Sequence, residues 1–176
     1  MNLQSLIVAG MRHATIEVFS TMLGVELTSE PDVQVETGGP EANDGVVSLI
    51  GLAGPWVGTG SVTCSPEAAC RVCSQMLMTD ATAVNEEVLD AIAELTNMII
   101  GSVKNDLEPD LGPLCLSIPT VVFGRNFRTR SAGSAEWIVM RFPWDEDQLV
   151  VKMCLAQAEK SHPAVHSNLH NCALEV

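Results

Sequence analysis

Glu94 and Asn97 stand three residues apart in a stretch, DAIAELTNMIIG, whose apolar residues recur at helical spacing. Side chains three apart on a helix emerge from the same side. Asp90 lies one turn before Glu94 and Gly101 one turn after Asn97, and the row sits largely off the apolar stripe. A Glu and an Asn are too little for nucleophilic or metal chemistry, and no Ser/His/Asp arrangement accompanies them. Asn is a mediocre helix former, and Gly inside a helix costs about 1 kcal/mol relative to Ala. A partner approaching the backbone closely would explain both choices, because Gly removes the side chain in its way. The other reading is a solvated helix face with a tolerated Gly.

Three further groups carry reactive or charged types. Cys70 and Cys73 form a CxxC near Cys64. They fall about a turn inside a helix, whereas a redox pair usually sits at a helix N-terminus after a strand, and no two further ligands at zinc spacing are adjacent. They read as core cysteines and no metal is expected. His162, His166 and His170 recur every four residues with Cys172 beyond. Pro163 and the fading periodicity make this a flexible tail instead of a metal site. Arg125, Arg128 and Arg130 concentrate three of the nine cations in one loop, either a solvated hairpin tip or a contact for an acidic partner.

The elements that must hold these residues follow from periodicity. Leu3 to Leu23 reads as one long amphipathic helix, with a dip at Gly10 and a stop at Gly24. Residues 28 to 44 are acidic and rich in turn formers, with a short strand near Val33 to Glu36. Val46–Leu52 and Trp56–Thr63 form a hairpin around Gly54-Pro55. Glycines 51, 58 and 60 in it suggest close packing, possible against a helix. Ser65-Pro66-Glu67 opens a helix to about Met78. Asn85 caps a longer one, which is expected to end near Leu107, before Pro109. Leu114–Ile118, Val121–Phe123, Trp137–Phe142 and Leu149–Leu155 are strand-rich, broken by Pro119, a polar loop and Pro143. Two long helices, a shorter one and about six strands imply an α+β fold with helices covering a sheet. Residues 1–158 form the domain, and 159–176 the tail.

The chain has 176 residues, of which 47% are hydrophobic, enough for one domain with a real core. Nine Lys and Arg face 22 Asp and Glu, a formal charge of -13. That balance argues against nucleic acid and against an anionic membrane surface as partners. No run is apolar enough to span a bilayer, and the N-terminus lacks the charge of a secretory signal. A cytoplasmic location is expected, with the six cysteines reduced.

The first helix echoes the long one. With Gly24 aligned on Gly101, Glu17 falls on Glu94 and Ser20 on Asn97. The echo arises either from shared amphipathic demands or from a duplicated half with one intact polar pair and one degraded pair.

Asp90 to Gly101 resembles the signature of the CheC/CheX/FliY phosphatases. That signature has an acidic residue or Ser, then Glu four on, Asn three further, and Pro a little over twenty beyond, where Pro119 stands in LSIPTVVFGRN. ATIEVFSTMLG and IGLAG…GSVTCSPEAA are similar to the CheX branch, and the likeness spans roughly residues 3 to 155. The resemblance implies a CheC-like α+β sandwich with pseudo-twofold duplicated halves. Ser20 in place of Asn leaves one site per chain. It also implies a homodimer joined through the sheets, a phosphorylated CheY regulator as substrate, and no cofactor of its own, Mg²⁺ coming with the regulator. Asn97 would position water, Glu94 would dock the regulator's Lys, and Asp90 and Gly101 would face the partner. A non-catalytic CheY-binding adaptor or flagellar switch component of the same fold is the alternative.

Overall fold

The computed structural model describes residues 2–37, 41–129 and 136–158. Arg130 and the expected tail 159–176, with its three histidines and Cys172, lie outside the described residues.

Helix α1 (Leu3–Val18) starts at Asn2, whose side chain accepts from the Ser5 amide at 2.8 Å. The next five residues, Phe19–Leu23, continue it as a π-helix, and Gly24 ends that segment with φ 64°. Strands β1 (Asp32–Thr37), β2 (Glu41–Ala53) and β3 (Trp56–Cys64) follow. Helix α2 (Pro66–Leu77) has Ser65 as N-cap and Pro66 in its first turn. Helix α3 (Glu86–Leu111) is capped by Asn85, which accepts from Val88 N at 3.0 Å. Glu86 and Glu87 sit in its first turn, where negative charge suits the helix dipole. Strands β4 (Cys115–Leu116), β5 (Thr120–Thr129), β6 (Glu136–Trp144) and β7 (Asp147–Gln157) complete the chain.

The seven strands form one antiparallel sheet in the order β1-β6-β7-β3-β2, with β4 and β5 both pairing the far side of β2. Exchange β1 with β5, β2 with β6 and β3 with β7, and the main order reads the same backwards. Each exchanged set follows a long helix, α1 or α3. The sheet therefore has the pseudo-twofold arrangement expected of two duplicated halves, with β3 and β7 paired at its centre.

Alternate strand residues make the core. Ile50, Val62, Val151 and Met140 share one face by register, and they join Ile92, Leu95, Ile99, Val103 and Met11 from the helices in one buried cluster. Gly60 shows how close α3 comes. A Cβ there would stand 2.8 Å from Ile100 Cδ1 and 2.9 Å from two further Ile100 carbons. Gly58 meets a strand instead, with a Cβ only 1.9 Å from the Cys154 carbonyl oxygen.

Four expectations need correction. Helix α3 does not stop before Pro109 but includes it and runs to Leu111. Asn105, whose carbonyl the missing N–H leaves without a helical partner, is exposed, so the loss is small there. The sheet has seven strands, not about six. Arg125 and Arg128 are not in a loop but on β5, which continues to Thr129. Pro143 does not end its strand: it pairs with Gln148 near the β6–β7 turn, so little of the ladder follows it. Among the described residues, no helix is long and apolar enough to cross a membrane.

Candidate functional site

Helix α3 buries Val88, Ala91, Ile92, Leu95, Thr96, Ile99, Ile100, Val103 and Leu107. That stripe turns the row between its edges to solvent. Asp90, Glu94 and Asn97 are exposed, and Gly101 is half-buried. Buried Thr96 satisfies its hydroxyl on the Ile92 carbonyl at 2.7 Å. Among the described residues, the side-chain bonds of this helix run through Asn85, Thr96, Lys104, Asp106 and Glu108, and not through the row. The fold thus brings the four candidate residues onto one helix face, and among the described residues none of the three polar ones has a side-chain bond.

Gly101 differs from Gly60. A Cβ at Gly101 would meet only Leu116 Cδ1, at an ordinary 3.8 Å. Intramolecular packing does not require glycine there, so the propensity cost is unexplained by the fold.

The neighbour of this row is the sheet edge. Ile100 lies over Gly60, which pairs with Ile50, and Gly101 lies beside Leu116, which pairs with Leu52. The far end of α3 reaches the β2–β3 turn, with Gly112 against Pro55. Passing from Gly101 back to Asn97 therefore moves along β2 away from that turn. Pro119, distant in sequence, stands in the link that follows Leu116 along this edge.

Sequence reasoning missed the β4–β5 link as part of this surface. Ser117 N donates to the Gly51 carbonyl and Ser117 Oγ accepts from Gly51 N, each at 2.9 Å. Ser117 Oγ also bonds the Ile118 carbonyl at 2.9 Å. The fastened link presents Ile118 to solvent at 87% exposure. The only sequence signal was an isoleucine between a serine and a proline.

The equivalent face on α1 is built differently. Glu17 is exposed and Ser20 half-buried, but Ser20 lies in the π-helical segment, so its spacing from Glu17 departs from that of Asn97 and Glu94. Ser20 Oγ donates to Glu26 at 2.8 Å. His13, aligned on Asp90, pairs with Asp106 at 3.1 Å. A groove of about 850 Å³ runs along this face, lined by Val8, Ala9, Arg12 and Ile16 among others. Of the degraded pair, Ser20 is thus tied to a neighbouring side chain, unlike Asn97.

The cysteines belong to the interior. Cys64, Cys70, Cys73 and Cys154 are buried free thiols, and Cys115 is exposed. Burial, with Asp147 and Cys70 nearby, pushes the Cys64 thiol up to about 12. Burial likewise raises Cys70, Cys73 and Cys154. A raised thiol is a poor nucleophile. Among the described residues, no cluster of three or more His, Cys, Asp or Glu could hold a metal ion.

Comparison with known proteins adds the lineage. Residues 46–143 match the family model described as chemotaxis phosphatase CheX. A relative from Thermotoga maritima, named CheY-P phosphatase CheX, is 29% identical over 139 residues, covering 78% of this chain and 85% of its own. The crystal structure of a CheC-like superfamily protein from Shewanella sp. PV-4 superposes with a TM-score of 0.70 at 25% identity, covering 89% of this chain and 99% of that one. At 21% identity and a TM-score of 0.64, the fold is also that of the Borrelia burgdorferi CheX solved with CheY, beryllofluoride and Mg²⁺, with coverage of 86% and 98%.

Proposed function

The chain belongs to the CheX family of chemotaxis phosphatases, and on that premise we propose that it accelerates hydrolysis of the aspartyl phosphate on a CheY-type response regulator. The observation that carries this reading is the exposed Asp90–Glu94–Asn97 row, which the fold leaves unengaged beside an unobstructed Gly101.

An aspartyl phosphate is an acyl phosphate and already reactive. The regulator supplies its own Mg²⁺ and Lys. What remains is to hold a water in line with the bond that breaks, which is a matter of position and electrostatics. Water oxygen attacks phosphorus, the bond to the carboxylate oxygen opens, and inorganic phosphate and a free aspartate leave. The Asn97 carboxamide suits the task, since it accepts from water, donates to a phosphoryl oxygen and carries no charge to repel the phosphate. Glu94 beside a bare phosphoryl group would be repelled, but paired with the regulator's Lys it fixes the docking register. Asp90 and Gly101 extend the contact a turn either way. The same reading carries a homodimer joined through the sheets and a cytoplasmic location.

The test is decay of CheY-phosphate with and without the protein. Asn97→Ala should lose an acceleration of about 100-fold, which corresponds to about 2.7 kcal/mol and is within reach of one well-placed hydrogen-bonding group. An unchanged acceleration would remove Asn97 from the mechanism. Binding of CheY-phosphate with no change in its lifetime would replace the enzyme by an adaptor.

A further inference from the structure

Five of the seven Lys and Arg among the described residues sit in ion pairs, namely Arg12, Arg71, Lys104, Arg141 and Lys152. The other two, Arg125 and Arg128, are both on β5, both exposed, and in no ion pair among the described residues. With 22 acidic residues against nine basic ones, leaving these two unpaired is a marked departure. The same edge exposes apolar surface. Phe123 is 47% exposed although its partner Val46 faces the helices, and Ile118 is held outward by the Ser117–Gly51 bonds. Ile118 and Phe123 flank Pro119 to Val121, in the stretch that follows Leu116, the side chain beside Gly101.

We propose that this edge, with Ile118 and Phe123 as its apolar contact and Arg125 as its charged one, is a second part of the surface that docks the phosphorylated regulator. The proposal rests on the regulator being the partner. Three observations favour that occupant. The edge is continuous with the polar row, through Leu116 against Gly101. Arg125 keeps its positive charge free for a carboxylate on the regulator's surface outside the Mg²⁺ site, since it lies too far along the strand to reach the carboxylates around the ion. The apolar knob is fastened by hydrogen bonds in advance, so docking orders little extra chain. Arg125 lies about 20 Å along the strand from Pro119. A small receiver domain is wide enough to touch both.

The experiment titrates the protein against its cognate CheY loaded with beryllofluoride and Mg²⁺. Ile118→Ser and Arg125→Glu should each raise Kd at least fivefold. Arg125→Glu should also flatten the salt dependence of binding. Met78→Asn, at a comparably exposed apolar site that caps the C-terminus of α2, should leave Kd as it is. Unchanged Kd in both variants overturns the proposal, as does a shift in one alone or an equal shift in Met78→Asn. Loss of self-association without loss of CheY binding also overturns it, because the edge would then serve a second copy. CheY-phosphate decay separates the two readings. Shifted Kd values with no acceleration leave this surface standing and remove the phosphatase, whereas no binding by the unaltered protein removes both.

Discussion

At the residue scale, Gly101 on α3 and Gly60 on the strand beneath it have opposite meanings. Gly101 has room for a methyl group, and its only contact at that position would be Leu116 at 3.8 Å. Gly101→Ala should therefore raise thermal stability, by up to about 1 kcal/mol from helix propensity alone. If the regulator approaches the helix there, the same variant lowers the rate of CheY-phosphate decay. Melting and decay measured on one preparation check both, and a stabilised, fully active variant would make Gly101 merely tolerated. The polar row was legible in the sequence because three-residue spacing on a helix is nearly independent of tertiary context. Its freedom from internal bonds was not legible, since that depends on where Lys104, Glu108 and the sheet edge lie in space. The same limit applied to Ile118, whose outward display depends on a hydrogen-bond pair with a strand 66 positions away in sequence.

At the element scale, caps and periodicity located every helix start. Asn2, Ser65 and Asn85 each accept from an amide three residues on. Endings were harder. Pro109 marks an expected stop, yet α3 passes it, and Glu108 helps close the helix beyond. Its carboxylate pairs with Lys104 at 2.8 Å and accepts from Leu114 N at 2.9 Å. The Lys104 contact, with the Leu114 amide, holds the Glu108 carboxyl below its ordinary 4.5. A carboxyl lowered on folding adds stability above its unfolded value and loses it as pH falls through the folded one. Glu108→Gln should therefore narrow the gap in melting temperature between pH 7 and pH 3. An unaltered gap would show the pair to be without effect. Only the start of β5, Val121–Phe123, is legible as strand, because the rest is largely exposed and carries Gly124, so period-two alternation never develops. The bulge between Asn43 and Gly45 and the positive φ of Asn126 disturb it further.

At the scale of the whole molecule, the helix echo marked an architecture that the strand sequences did not reveal, because strands at a centre and at an edge obey different composition rules. The cysteines also follow the global core. Cys115 should react fastest with a thiol reagent in the native protein among the five described, with Cys64, Cys70, Cys73 and Cys154 slow until unfolding. Fast native labelling of the Cys70–Cys73 pair, read by mass spectrometry, would contradict their burial.

Packing on the hidden side of α3 also governs its working side. Ile100 rests in the notch left by Gly60, which sets the stand-off of the rod from the sheet. Filling that notch with a single methyl would lift the rod by on the order of 1 Å, because normal carbon contacts lie near 3.5–4.0 Å. Asn97, carried on the same rod, would rise with it. A displacement of that size is enough to cost about 10²-fold in a reaction that depends on alignment. Gly60→Ala should thus bind beryllofluoride-loaded CheY yet hydrolyse CheY-phosphate slowly. The aim of the amide would then be set by the absence of a side chain on a strand it never touches.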